Sequence, residues 1–169
     1  RGATFCVRLP LRAPNNNTAA SIPAVQDLAA ADDGKPLLTL KGIRVLIVDD
    51  EPDARRMASR VLMRSGAEVQ EAGSAREALE MLSIAPPHVL VSDVAMPVQD
   101  GYDLLRSVRQ KFSGRDLPAI ALTAFARTED RRRALLSGFQ LHVAKPVDPH
   151  ELAAAVANLA GRTSALWSE

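Results

Sequence analysis

The chain has 169 residues, 47% hydrophobic and 24% charged, the composition of a globular protein with room for one domain and an appendage. Its formal net charge of +1 gives no overall electrostatic case for nucleic acid or for an anionic membrane surface. A single cysteine, Cys6, excludes an internal disulfide and any multi-cysteine metal site, and no apolar run approaches the ~20 residues that span a bilayer. We therefore expect a cytoplasmic fragment, with any membrane anchor of the parent protein lying before Arg1.

Residues 1–11 alternate apolar and polar side chains from Phe5 to Leu9 and stop at Pro10, which reads as one half-buried strand. The chain starts inside this segment and without a methionine, so it is expected to be a piece of a longer protein. Residues 12–41 shift to Ala, Pro, Asn and Asp, with Asn15-Asn16-Asn17 and Asp32-Asp33-Gly34 as turn formers, and read as a linker.

Regular patterning begins after Gly42. Ile43 to Val48 is an apolar strand that runs into Asp49-Asp50-Glu51-Pro52. Ala54, Met57, Ala58, Val61 and Leu62 recur at helical spacing and are assigned to a sheet-facing stripe, with Met63 outside it as a candidate partner contact. Ser65-Gly66 closes that helix, and Ala67 to Ala72 alternates as a second strand. Ser74-Ala75-Arg76-Glu77 is a capping box opening a helix with Ala78, Leu79 and Leu82 on one face. Pro86-Pro87 ends it before the strand that delivers Asp93 and stops at Pro97. Asp100-Gly101 opens a third helix with Leu104, Leu105, Val108 and Phe112 on one face.

A fourth strand, Ala119 to Leu122, leads into Thr123-Ala124. Thr128 to Leu136 is a polar helix stopped at Gly138, whose Arg131-Arg132-Arg133 run reads as a solvated face. Leu141 to Ala144 is a fifth strand ending at Lys145-Pro146. Asp148-Pro149-His150-Glu151 then starts a last helix carrying Leu152, Val156 and Leu159.

Five strands alternating with five helices predict an α/β fold, a doubly wound parallel sheet with right-handed crossovers. The first, third and fourth strands are the most apolar and belong in the middle, while the second and fifth alternate and belong at the edges. The flavodoxin-like order 2-1-3-4-5 satisfies this and puts the switch point between strands one and three.

That topology gathers Asp49, Asp50 and Asp93 at one sheet edge. Three close carboxylates repel one another unless a cation sits among them, and hard oxygen ligands suit Mg²⁺. Strand four adds the Thr123 hydroxyl and strand five the Lys145 ammonium. An acidic pocket with one hydroxyl and one ammonium suits phosphoryl transfer, with Asp93 as nucleophile and Thr123 and Lys145 on the phosphoryl oxygens.

With these blocks in order, residues 43–160 resemble the receiver domain of two-component response regulators: Val-Asp49-Asp50-Glu51-Pro, Ser-Asp93-Val-Ala-Met96-Pro97-x-x-Asp-Gly101, Leu-Thr123-Ala124 and Lys145-Pro146. The resemblance implies that Asp93 is the phosphoacceptor. It implies that Mg²⁺ is held by Asp49, Asp50, Asp93 and the backbone carbonyl of Ala95. Thr123, the backbone amide of Ala124 and Lys145 would bind the phosphoryl group, and Pro146 would follow a cis peptide bond. Thr123 and His142 would form the switch, although His142 stands where the family usually has Tyr or Phe. Ala95, with Phe125 two residues after Thr123, leaves no polar side chain to orient a hydrolytic water, so slow loss of phosphate is expected.

The Gly-Ala-Thr-Phe and Val-x-Leu-Pro runs of residues 1–11 resemble the last strand of the ATP-binding domain of sensor histidine kinases. Together the segments imply a truncated kinase domain (1–11), a linker (12–41), a receiver (42–160) and a tail (161–169), the C-terminal end of a hybrid histidine kinase. Such a receiver catalyses its own phosphorylation and dephosphorylation, with a histidine kinase core or a histidine phosphotransfer domain as partner. Only nine residues follow the last helix, so no nucleic-acid-binding output is expected. The competing reading is a pseudo-receiver that only binds a partner, which loss of an acid, Thr123 or Lys145 would favour; all are present. A haloacid-dehalogenase-like phosphatase needs a second acid two residues after its nucleophile, where this chain has Ala95.

Overall fold

The structure, a computed structural model, describes residues 39–124 and 128–163, the side chains of 128–131 and 162–163 excepted. The strand read at 1–11, the linker up to residue 38, Phe125, the Arg131 side chain and the tail from residue 164 lie outside the described residues.

Among the described residues ten elements alternate: β1 (Arg44–Val48), α1 (Pro52–Arg64), β2 (Glu68–Ala72), α2 (Ala75–Ile84), β3 (Val89–Asp93), α3 (Gly101–Arg109), β4 (Ala119–Thr123), α4 (Thr128–Leu136), β5 (Leu141–Ala144) and α5 (Pro149–Thr163). The strands form one sheet in the order β2-β1-β3-β4-β5, with every neighbouring pair parallel. This is the flavodoxin-like order expected from strand polarity. Glu68 and Gln70 leave β2 half wet at one edge, whereas β3 and β4 are buried throughout.

Strand alternation divides the core into two layers. Val45, Ile47, Val89, Val91, Ile120, Leu122 and Val143 face α1 and α5, where Ala58, Leu62, Leu152, Val156 and Leu159 meet them. Leu46, Val48, Leu90, Ala119 and Ala121 face the other side, against Ala78 and Leu82 of α2 and Leu104, Leu105 and Val108 of α3.

Helix starts are fixed by side chains. Ser74 Oγ accepts the Glu77 N–H (3.2 Å), Asp100 Oδ1 the Asp103 N–H (2.8 Å) and Asp148 Oδ1 the Glu151 N–H (2.8 Å). At α2 the return half of the box lands one residue early: Glu77 Oε2 accepts from the N–H of Gly73, not Ser74.

Two local expectations fail. Met57 is 54% exposed, while Ser59 is buried with Ala58 and Leu62. The buried wedge of α1 is centred between Ala58 and Leu62 and turns toward β2, where Arg55 and Ser59 lie, so Met57 falls more than 100° from its centre on a helical wheel. Met63 is also exposed, at 49%. The third helix stops at Arg109, so Phe112 packs half-buried from the following turn, its N–H donating to Val108 O (2.9 Å). Among the described residues no helix is long and apolar enough to cross a membrane.

Candidate phosphoryl-transfer site

The site lies at the carboxyl edge of the sheet, where the β1 and β3 strands adjoin and their following helices leave to opposite faces. Asp49, Asp50 and Asp93 each offer a carboxylate oxygen there, all within 4.8 Å of one another. Asp49 is 1% and Asp93 6% exposed, whereas Asp50 faces solvent. Three hard oxygen donors, one of them open to water, fit a Mg²⁺-sized cation that keeps part of its hydration shell.

Lys145 reaches this cluster from β5. Its Nζ lies 2.8 Å from Asp49 Oδ2 and 2.9 Å from Asp93 Oδ2, with the side chain 22% exposed. Burial alone would lower its pKa, but the hydrogen bonds and charges of Asp49 and Asp93 outweigh burial and hold it above the ordinary lysine value. The ammonium is therefore fixed in its charged form. The Lys145 N–H donates to Thr123 O (2.7 Å), which ties its backbone to the end of β4, and the Lys145–Pro146 peptide is cis.

The remaining groups surround Asp93. Thr123 ends β4 opposite Ala144 and is 2% exposed; Ala124 follows it at the surface. Ala95 donates its N–H to Asp93 Oδ1 (3.2 Å), and its side chain is exposed. Ser92 Oγ donates to Asp93 O (2.9 Å). His142 is half-buried and pairs with Ala121 across the β4–β5 ladder. Alternation puts His142 and Thr123 on the same sheet face as diagonal neighbours across the parallel β4–β5 pair.

Two contacts of the site are not legible in the local sequence pattern. Gly101 packs so closely that a Cβ there would lie 2.2 Å from Asp93 O. The Asp-Gly pair was visible, but not this contact. Arg55 pairs with Glu71 (Nε to Oε2, 3.3 Å) and donates to the main-chain oxygen of Asp49. No local pattern announces it, since its partners sit on other elements.

A family model for the response regulator receiver domain matches residues 45–157. This chain belongs to that family. An uncharacterized 14.6 kDa protein from Leptolyngbya boryana is 52% identical over 114 residues, covering 68% of this chain and 87% of that one. The sensor histidine kinase TmoS of Ectopseudomonas mendocina is 33% identical over a match that takes in 94% of this chain but 18% of TmoS. The chain thus spans less than a fifth of that kinase, and 54% of a Synechocystis response regulator, Rre1. Among solved structures, a response regulator from Chloroflexus aurantiacus superposes with a TM-score of 0.68 at 36% identity, over 72% of this chain and 99% of that one. The receiver fold accounts for the sheet order and for the edge on which the acids collect.

Proposed function

We propose that this receiver takes a phosphoryl group from a phosphohistidine onto Asp93 and passes it on or loses it to water. The observation that carries the reading is Lys145 Nζ held between Asp49 and Asp93 at 2.8 and 2.9 Å, beside a third carboxylate. A carboxylate oxygen of Asp93 bonds to phosphorus as the bond from phosphorus to the donor's imidazole nitrogen breaks, its electron pair staying on nitrogen. Lys145 balances charge on the phosphoryl oxygens, with the Thr123 hydroxyl and the Ala124 amide as further donors. Asp50, Asp49, Asp93 and the Ala95 carbonyl are the groups to hold Mg²⁺, which when bound supplies charge neutralisation at those oxygens. Thr123 and His142 then read the state of Asp93.

The match to TmoS extends well beyond the receiver, which supports the wider reading of residues 1–11 as a kinase-domain remnant and 12–41 as a linker ahead of the receiver. On that reading the parent is a cytoplasmically facing hybrid histidine kinase. Its partner is a histidine kinase core or a histidine phosphotransfer domain, and Met63 on α1 is a contact for it. The test is label transfer from a radiolabelled phosphohistidine donor, with and without a chelator. Transfer to this chain that needs divalent metal and disappears in Asp93→Asn is expected. Undiminished labelling of Asp93→Asn would remove the assignment.

A further inference from the structure

Every polar group of Asp49 is engaged. Its N–H donates to Ala72 O (3.2 Å), its Oδ1 accepts from the Glu51 N–H (2.9 Å), and its Oδ2 accepts from Lys145 Nζ (2.8 Å). The fourth group, its carbonyl, is taken by Arg55 Nη1. That carbonyl is half of the planar peptide joining Asp49 to Asp50. Fixing where it points therefore fixes the plane from which both acidic side chains depart.

Arg55 is well placed to be rigid. Its N–H donates to the carbonyl of Glu51, the N-cap of α1 (3.0 Å), its Nε meets Glu71 Oε2 on β2 at 3.3 Å, and its side chain is 18% exposed against 33% for Glu71. One guanidinium thus ties α1, β2 and the β1–α1 turn together. A planar fork spanning a carboxylate and a carbonyl is a task for arginine, since an ammonium offers no such fixed geometry.

We propose that Arg55 is a positioning residue for the cation site: by holding the Asp49–Asp50 peptide it aims both carboxylates at a divalent cation. This rests on the reading of Asp49, Asp50 and Asp93 as a Mg²⁺ site. Charge and positioning make opposite demands, which makes the idea decidable. Arg55→Met leaves Glu71 uncompensated and the site more negative, so a purely electrostatic role would tighten cation binding. Loss of positioning weakens it, and outer-shell partners of metal ligands typically count for about 10–100-fold in affinity.

The experiment titrates the full chain with Mn²⁺ alone, reading free ion by electron paramagnetic resonance, and follows unfolding of the metal-free proteins by urea. Arg55→Met is expected to raise the Mn²⁺ dissociation constant about tenfold or more, with Arg55→Lys restoring part of the loss. Unchanged or tighter binding in Arg55→Met, even with a lowered unfolding midpoint, would show Arg55 to be structural only and overturn the proposal. Should Arg55→Met fail to fold, Arg55→Lys carries the test: wild-type affinity with a fixed-fork donor gone would equally overturn it. Asp50→Asn separates the two levels of the argument. If it binds Mn²⁺ as the wild type does, the cation reading itself falls; if it loses binding while Arg55→Met does not, only the role of Arg55 falls.

Discussion

Gly101 sits directly beneath Asp93: a Cβ on the first residue of α3 would come within 2.2 Å of the Asp93 carbonyl oxygen and 2.8 Å of Val94 Cα. Both obstacles are backbone, so nothing flexible can give way. Gly101→Ala must push α3 off the end of β3 and tilt the strand that presents Asp93. We expect a loss of about 1–3 kcal/mol in unfolding free energy, the range for overpacking a tight site, together with slower phosphorylation. A urea midpoint unchanged from wild type would show that α3 has slack the structure denies.

Ser59 is buried at 1% exposure, and its Oγ has no hydrogen-bond partner among the described residues. A hydroxyl stripped of water without compensation costs about 1–3 kcal/mol, and alanine is also the better helix former. Ser59→Ala should therefore stabilise the protein, by about 0.5–1.5 kcal/mol in urea unfolding. Destabilisation would mean that the hydroxyl has a partner in solution.

His88 supplies a pH dependence away from the site. Its Nδ1 accepts the Arg44 N–H (3.0 Å), a bond only the unprotonated nitrogen can make. Burial, and then the charge of Arg44, lower its pKa below the ordinary 6.5, with Glu68 opposing. The unfolded chain therefore binds the proton more readily, and stability rises with pH. This contribution is complete above the unfolded value and is lost as pH falls through the lower, folded one. Unfolding free energies between pH 7.5 and 5 should drop more steeply in wild type than in His88→Gln; parallel curves would contradict the assignment.

Much of this was legible because strand ends carry the chemistry. Continuous apolar runs marked β1, β3 and β4 as central, and the residues ending the strands then had to share one edge. What stayed hidden was lateral. Helical spacing placed Met57 within the apolar stripe of α1, but the width and centre of that stripe depend on where β2 lies. Arg55 was unreadable for the same reason, since Glu71 reaches it only once β2 pairs with β1. The close approach of Gly101 to Asp93 depends on the turn between β3 and α3.

His142 shares a sheet face with Thr123; on the proposed switch reading, motion of the Thr123 hydroxyl toward a phosphoryl group would open space for the ring. A neutral imidazole fills such a space at modest cost, whereas a charged one resists losing water. His142→Phe should retain phosphorylation of Asp93 while changing how strongly it alters partner affinity. The comparison is of partner affinity with and without beryllofluoride in both proteins, and equal ratios would reduce His142 to an edge-strand residue.

Asp93, alone among the clustered acids, is expected to receive the phosphoryl group. Intact mass after incubation with acetyl phosphate and Mg²⁺ tests it most directly. A single ~80 Da adduct is expected on the wild type and none on Asp93→Asn, whereas an adduct of equal abundance on the variant would place the phosphoryl group on another residue.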